Sequence, residues 1–279
     1  RPARQAHGNT QALRCPRRPR RRAKMLESSE NRKFMLYSKR ADQEPPKEKK
    51  TKEIGFRFLQ LQVGDEVPDF RADSTVGEFG YHDMIDGVWS VLVTFPPDAE
   101  AVATTEMGQL SKLHREFEAR NCRLMGVSCA SKEQHRAWLE AVEEIEDCAV
   151  SFPLISDPEA VIGAKLGLVK QDWETWGPAP VHALVPSTLV ILCDIDKRVK
   201  ATWQHPTTCG RNFYEVLRTL DACQLALFHQ VATPANWLQG RDVYVAPRLT
   251  KVAATEAFPK GVTEQRPWYR TTPQPDLPV

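Results

Sequence analysis

The sequence predicts an α/β fold in which a mixed sheet is flanked by helices. Apolar runs of strand length alternate with amphipathic helical patterns between residues 88 and 228, and this alternation is typical of βαβ units with helices on both faces of a sheet. The last two strand patterns are separated only by the short turn at residues 194–197. They therefore predict an antiparallel hairpin that makes the sheet mixed.

The first predicted strand is the continuous apolar run of residues 88–95, and a long helix follows it. Apolar side chains recur in that helix every three or four positions, at Met107, Leu110, Leu113 and Phe117. This spacing places them on one face of a helix, where they can pack against the sheet.

A second strand is predicted at residues 123–128, a helix at 133–145 and a short strand at 152–155. The helix presents one apolar face, formed by Trp138, Leu139, Val142 and Ile145. Asp157 and Pro158 are residue types that favour an N-cap and a first helical position, so we expect a further helix to begin there.

A third buried strand is predicted at residues 188–193, and the hairpin returns along residues 199–204. The last strong helical pattern covers residues 212–228. Its expected buried side carries Phe213, Val216, Leu217, Leu220 and Leu227. The remainder from residue 231 is rich in proline, and its sequence pattern does not by itself indicate a globular unit.

The charge is distributed unevenly. Residues 1–24 contain eight Arg and one Lys and no acidic residue, although the whole chain has 38 basic and 36 acidic residues. We predict a disordered, solvated extension, followed by a polar linker to residue 60. Alternatives are a nuclear-import or nucleic-acid-binding patch and a transit peptide, although prolines interrupt any amphipathic helix. Met25 is a possible translation start, in which case these residues are absent from the protein.

The seven cysteines are odd in number and form no C-x-x-C pair, which argues against a disulfide scaffold and against a zinc ribbon. A reducing compartment is therefore expected, namely the cytoplasm, or the mitochondrion or nucleus if the basic extension is real. No apolar run reaches membrane-spanning length. The histidines show no ligand spacing, and we expect neither a metal nor another cofactor.

The most informative segment follows the first strand and reads PPDAEAVATTE over residues 96–106. A strand, a turn and a helix start place Ala103 in the first helical turn, where free N–H groups and the helix dipole would stabilise a thiolate. A cysteine there would be a strong candidate nucleophile, but the residue is alanine.

This segment resembles the active-site segment of peroxiredoxins, Pro-x-x-x-Thr-x-x-Cys, and the one-Cys, peroxiredoxin-6-like branch accounts for the rest of the chain. Four further segments carry that resemblance, at residues 210–213, 231–237, 258–262 and 269–275. The resemblance covers about residues 61–275. It implies a thioredoxin-like domain over 61–228, a small C-terminal dimerisation arm over 229–279, and thiol-dependent reduction of hydrogen peroxide and organic hydroperoxides.

The resemblance also assigns the site. Its shielding proline, threonine, nucleophilic cysteine and arginine fall on Pro96, Glu100, Ala103 and Thr188, and a second family arginine falls on Arg211. Of the first four, only the proline is kept. Glu100 would repel a thiolate and Thr188 supplies no cation, so all three changes oppose the family reaction.

Two other sets of residues bear on activity. Cys209, beside Arg211, and then Cys129, after the second strand, are candidate substitute thiols. The serine, histidine and aspartate of the phospholipase set described for this branch fall on Val88, His82 and Asp196, so its nucleophile is also missing. His82 is better interpreted as a surface or hydrogen-bonded core histidine.

The sequence therefore favours a divergent one-Cys peroxiredoxin-like protein without thiol-peroxidase catalysis. Its remaining role would be binding, as a homodimer or as a heterodimer with an active peroxiredoxin. The alternatives are residual peroxidase activity through Cys209 or Cys129, and association with nucleic acid through residues 1–24.

Overall fold

The structure is a computed structural model that describes residues 61–97, 99–168 and 187–276. The basic extension and linker predicted over residues 1–60 lie outside the described residues. The described strands are β1 (Arg71–Ser74), β2 (Gly77–Gly80), β3 (Trp89–Thr94), β4 (Cys122–Ser128), β5 (Leu154–Ser156), β6 (Ser187–Cys193), β7 (Val199–Pro206), β8 (Val231–Ala232), β9 (Val243–Val245), β10 (Thr263–Arg266) and β11 (Tyr269–Thr272). The helices are α1 (Tyr81–Met84), α2 (Ala101–Glu118), α3 (Lys132–Glu146), α4 (Val161–Lys165), α5 (Phe213–Phe228) and α6 (Lys251–Ala257).

The larger sheet has seven strands in the order β2-β1-β5-β4-β3-β6-β7. Strands β3, β4 and β5 are parallel to one another, and the neighbours at both sides are antiparallel. The prediction of a mixed sheet flanked by helices is therefore confirmed. Strands β1 and β2 and helix α1 form the part of this domain that the periodicity did not reveal.

The central strand β3 explains the continuous apolar run, because each of its faces packs against a different core. Val91 and Val93 lie in the cluster under α2, α3 and α5. Leu92 lies in the opposite cluster with Tyr81 of α1 and Ile162 of α4. A strand covered on both faces needs apolar residues at consecutive positions.

Three sequence predictions differ from the structure at helix ends. The helix expected at Asp157 begins at Val161, because Asp157 sits in the preceding turn and its carboxylate accepts from the Gly163 N–H at 2.8 Å. Ile145 is 69 % exposed, since the last turn of α3 places Glu146 against Gly108. Leu227 is 42 % exposed, since the end of α5 turns Leu225 inward instead.

Residues after α5 form a second, four-stranded antiparallel sheet in the order β10-β11-β9-β8. It has its own small core, and the largest fully buried side chain in it is Trp237, whose Nε1–H donates to the Arg241 carbonyl at 3.1 Å. Leu225 of α5 also belongs to this core. The predicted domain division at residue 229 stays a prediction.

The contact between α2 and α3 depends on a glycine. A Cβ built on Gly108 would lie 2.6 Å from the Glu146 Cβ and closer still to its Cγ, a spacing that real side chains do not adopt. Overpacking by Gly108→Ala is expected to lower the free energy of unfolding by about 1–3 kcal/mol. The higher helix propensity of alanine offsets roughly 1 kcal/mol of that loss. Urea unfolding measures this, with Gln109→Ala on the same helix as the control. Equal or greater stability for Gly108→Ala would show that α3 moves away without cost.

No described helix of the chain is both long enough and apolar enough to span a lipid bilayer.

Candidate functional site

The residue singled out by the sequence, Ala103, lies where β3 passes into α2. Phe95 and Pro96 follow the strand and are buried, and α2 begins at Ala101. Ala103 is thus in the first helical turn, as predicted. It is 2 % exposed and packs in the core cluster with Phe95 and Met107. The side chain that points into the core from this turn is a methyl group.

Glu100 is the N-cap residue of α2 and is exposed. Its side chain makes no capping hydrogen bond, while its carbonyl accepts from the Thr104 N–H at 2.9 Å and from the Thr104 hydroxyl at 2.8 Å. A carboxylate at this end interacts favourably with the helix dipole. The same charge opposes a second anion, such as a thiolate, in the first turn.

Thr188 lies in β6 opposite His205 of β7 and is 3 % exposed. Its hydroxyl donates to the His205 carbonyl at 3.4 Å. The next residue, Leu189, donates its N–H to the Thr94 hydroxyl at 2.7 Å and so joins the start of β6 to the end of β3. A neutral side chain therefore occupies the position at which the resemblance places an arginine.

Arg211 is the cation that remains, and it is held by a buried carboxylate. Its Nη2 lies 2.5 Å from Glu106 Oε2 and its Nε 2.9 Å from Glu106 Oε1, with both side chains at most 5 % exposed. Its Nη1 donates to the Thr94 carbonyl at 2.8 Å. The guanidinium also faces the rings of Phe95 and Phe213, at 5.1 and 5.6 Å.

Glu106 is a residue of this site that the sequence reasoning missed. It lies three positions after Ala103 in a helix whose buried side includes Ala103, Met107 and Leu110. A carboxylate among buried positions requires a cation or several donors. That pattern is the signal that Glu106 has a buried partner, although it does not identify the partner as Arg211.

The two candidate substitute thiols differ in their surroundings. Cys129 follows β4 and is half-buried, and burial, with a smaller contribution from Asp157, raises the pKa of its thiol to about 11. Cys209 is exposed, in the loop before α5. The next residue, Gly210, lies close to Val102, because a Cβ built on it would be 3.8 Å from Val102 Cγ1. The loop with Cys209 therefore approaches the first turn of α2.

Two further cysteines lie in strands of the larger sheet and are buried. Cys122 and Cys193 are each at most 2 % exposed. Burial raises the pKa of the Cys193 thiol to about 12 and raises that of Cys122 as well. Neither thiol is suited to act as a nucleophile near neutral pH.

The three phospholipase-type positions do not form a hydrolytic set. His82 uses its Nε2 to donate to the Val67 carbonyl at 2.7 Å. Val88 immediately precedes β3 and is half-buried, and Asp196 is exposed in the β6–β7 turn. The hydrogen bond to Val67 agrees with the interpretation of His82 as a hydrogen-bonded structural residue. Within the described ranges, no group of three or more His, Cys, Asp or Glu side chains is arranged to hold a metal ion.

A buried histidine lies near the carboxyl end of β4. His135 is 1 % exposed, and its Nε2 lies 2.6 Å from the Ser128 hydroxyl, while its Nδ1 has no partner among the described residues. Burial lowers the pKa of His135 to about 4, from an ordinary value of about 6.5. No described residue supplies a counter-charge for the protonated imidazole.

The protein is therefore expected to lose stability on mild acidification. Below a pH of about 6.5 the unfolded chain binds a proton at His135 that the folded chain does not accept until the pH approaches 4, so the stability present at neutral pH is lost as the pH falls through this window. Melting curves between neutral pH and pH of about 4.5 measure the effect. The melting temperature of the His135→Gln variant should fall less steeply than that of the parent. Parallel curves would contradict the prediction.

Comparison with known proteins agrees with this architecture. Residues 63–200 match the AhpC/TSA family. The chain is 35 % identical to the 1-Cys peroxiredoxin of Dictyostelium discoideum over 217 residues, covering 77 % of this chain and 86 % of that protein. It is 37 % identical to peroxiredoxin-6 of Rattus norvegicus over 224 residues, covering 77 % and 98 %.

Solved structures show the same likeness. A cysteine-to-serine mutant of peroxiredoxin 6 of Arenicola marina superposes with a TM-score of 0.68 at 33 % identity, covering 77 % of this chain and 99 % of that one. The yeast mitochondrial 1-Cys peroxiredoxin gives a TM-score of 0.69 at 32 % identity, covering 76 % and 99 %. The thioredoxin-like fold implied by the resemblance is thereby confirmed. The chain belongs to the peroxiredoxins of the AhpC/TSA family, in their one-Cys, peroxiredoxin-6-like branch.

Proposed function

We propose that this protein is a divergent one-Cys peroxiredoxin that has lost thiol-peroxidase catalysis and acts by binding. The observation that carries the proposal is the buried methyl group of Ala103 in the first turn of α2. The family resemblance places the peroxide-attacking cysteine at this position. Without a thiolate there, no atom in this turn can attack a peroxide O–O bond.

The surrounding charges support the same proposal. Glu100 places a carboxylate at the helix end that would otherwise stabilise a thiolate, and Thr188 offers no positive charge. The cation that remains, Arg211, is already paired with Glu106. A site arranged in this way lacks the nucleophile and also the electrostatic support that the family reaction needs.

The binding role is proposed to be dimerisation, through an arm at residues 229–279, with a second copy or with an active peroxiredoxin. This part of the chain has its own apolar core, so it can present a defined surface. Trp268 and Val252 on this arm are 70 % and 68 % exposed.

We further propose a reducing compartment, the cytoplasm by preference, because the six described cysteines are all unpaired.

Peroxide consumption by the purified full chain, with a thiol reductant, tests the loss of catalysis. Rat peroxiredoxin-6, measured in parallel under the same conditions, serves as the reference. We expect consumption of hydrogen peroxide and of an organic hydroperoxide to equal a blank without protein. Turnover above the blank would contradict the proposal.

The competing function is residual peroxidase activity through Cys209, favoured by its exposure and by the closeness of its loop to the first turn of α2. Cys209→Ala should then abolish any turnover that is measured, and Cys129→Ala is the matched control.

The dimerisation role is tested separately. Light scattering measures the oligomeric state of the protein alone and mixed with rat peroxiredoxin-6. A monomer in both samples would contradict the dimerisation role.

A further inference from the structure

A groove of about 260 Å³ lies beside the first half of β4, away from Ala103. Its walls include Met84, Met125 and Phe152, and its polar members include His114, Glu118 and Ser151. The groove exists because β4 begins at Cys122 but pairs with β5 only from Gly126 onwards. The outer edge of β4 is therefore uncovered for its first four residues.

The uncovered edge exposes backbone groups. At the start of β3, the Trp89 N–H donates to the Asn121 carbonyl, and just after β3 the Phe95 N–H donates to the Val127 carbonyl. The odd-numbered residues of β4 therefore form their backbone hydrogen bonds with β3. Gly126 donates to the Pro153 carbonyl on the other side, so even-numbered residues face β5. Leu124 therefore directs its N–H into the groove, where no described residue accepts it. The proline at 153 has no N–H with which to extend the ladder.

A serine and a histidine meet at this groove. Ser151 Oγ lies 2.6 Å from His114 Nδ1, and His114 Nε2 lies 3.7 Å from Glu118 Oε1, one helical turn further along α2. The imidazole is held edge-on against Phe152, with ring centroids 5.6 Å apart, and its side chain is 14 % exposed. Ser151 is an exposed residue.

We propose that Ser151 is a nucleophile activated by His114, and that the groove accepts small carboxylic esters. The Ser151 hydroxyl lies within hydrogen-bond reach of the His114 imidazole, which is the contact that activates serine for acyl transfer, and the Glu118 carboxylate lies 3.7 Å from the other ring nitrogen. The Leu124 N–H, directed into the same groove, is a donor for the oxyanion. The site uses none of Val88, His82 and Asp196.

Hydrolysis of the ester at this site needs water as the only other reactant. Ser151 Oγ bonds to the ester carbonyl carbon as its proton passes to His114 Nδ1, and the carbonyl π electrons move to oxygen, which Leu124 N–H faces. The intermediate collapses to acyl-Ser151, and the departing alkoxide takes the proton from His114. Water repeats the sequence and releases the carboxylic acid and the free serine. Glu118, with its Oε1 3.7 Å from His114 Nε2, lies on the side of the ring away from Ser151.

The size of the groove sets the substrate class. A volume of about 260 Å³ lies below the range of roughly 300–1,000 Å³ typical of sites for drug-sized ligands. The apolar walls favour a short acyl group. The guanidinium of Arg123, which contacts the Met84 sulfur at 3.4 Å at the rim, places a positive charge that favours negative charge developing on the leaving oxygen before that oxygen takes the proton.

Labelling of the full chain tests the proposal, with a fluorophosphonate as the serine-directed probe and p-nitrophenyl acetate as the ester. Because exposed cysteines also react with active esters, and Cys148 lies close to Ser151 in the chain, fragmentation mass spectrometry must locate the adduct. We expect both probes to modify Ser151. His114→Ala should slow the modification about 100-fold, as expected for loss of a general base.

The controls separate activation from simple exposure. Ser111→Ala, on the same helix as His114 but bonded to the Met107 carbonyl, should react like the parent. Ser151→Ala should lose the adduct while keeping its melting temperature, and Ser151→Cys should restore acylation at position 151. An unmodified Ser151 in the parent, or an unchanged rate in His114→Ala, would overturn the proposal.

Discussion

Replacing three residues together, Ala103→Cys, Glu100→Thr and Thr188→Arg, is expected to produce thiol-peroxidase activity at least about a hundredfold above that of Ala103→Cys alone. The single variant supplies sulfur to a turn whose N-cap is a carboxylate and whose neighbouring strand offers a neutral hydroxyl. Its thiol would ionise poorly, because Glu100 disfavours the thiolate and no cation at position 188 compensates.

The triple variant reverses both effects. A threonine at position 100 provides a hydroxyl donor for thiolate and peroxide, and an arginine at position 188 adds positive charge beside the turn. The existing pair of Arg211 and Glu106 already fixes the ends of β3 and β6. The scaffold therefore needs only the reacting groups to be restored.

Peroxide consumption with a thiol reductant measures this effect, and the pH dependence of alkylation at position 103 reports the thiol directly. The alkylation profile of the triple variant should lie at lower pH than that of Ala103→Cys. The double variant Glu100→Thr with Thr188→Arg is the control, and it should remain inactive because it has no sulfur at position 103. Equal activity of the single and triple variants would mean that the charges of this pocket have been misjudged.

The central elements of the fold follow from the sequence because each has a strong local signal. The run at residues 88–95 is apolar on both faces, since β3 is covered on both sides. The elements that escaped prediction have weak signals. Strands β1 and β2 have four residues each, and so does α1. Elements of this length are specified by tertiary contacts more than by periodicity.

The candidate site was predicted only as far as the resemblance reaches. The family motif led to Ala103, Glu100 and Thr188, and the structure places Ala103 in the expected helical turn. It did not lead to Glu106, because a single acidic residue in a helix gives no sign of its partner 105 residues later. It also gave no sign of Ser151 and His114, which are 37 residues apart in the chain. Such pairs depend on the folded arrangement.

The buried pair of Glu106 and Arg211 is expected to be the polar contact whose disruption costs most. Glu106→Gln leaves a guanidinium that is 1 % exposed without its counter-charge, and breaking a buried pair in this way typically costs about 3–5 kcal/mol. Arg211 also joins the Thr94 and Leu189 carbonyls, so its displacement would loosen the ends of β3 and β6. The free energy of unfolding in urea is the measurement.

A double-mutant cycle separates the pair energy from the packing. The variant Glu106→Leu with Arg211→Met replaces both charges by apolar groups and should recover most of the stability lost by either single change, because the cost comes from the uncompensated charge. The free energy of unfolding of Arg211→Lys should lie between that of the parent and that of the variants that lose one charge. An ammonium keeps the charge but cannot form the bidentate contact. The surface pair of Lys112 and Glu146, with Lys112 42 % exposed, is the control, and Lys112→Met should cost less than about 1 kcal/mol. Additive losses in the Glu106 and Arg211 cycle would mean that the two side chains stabilise the fold independently. The pair would then no longer explain how this site keeps its shape without its nucleophile.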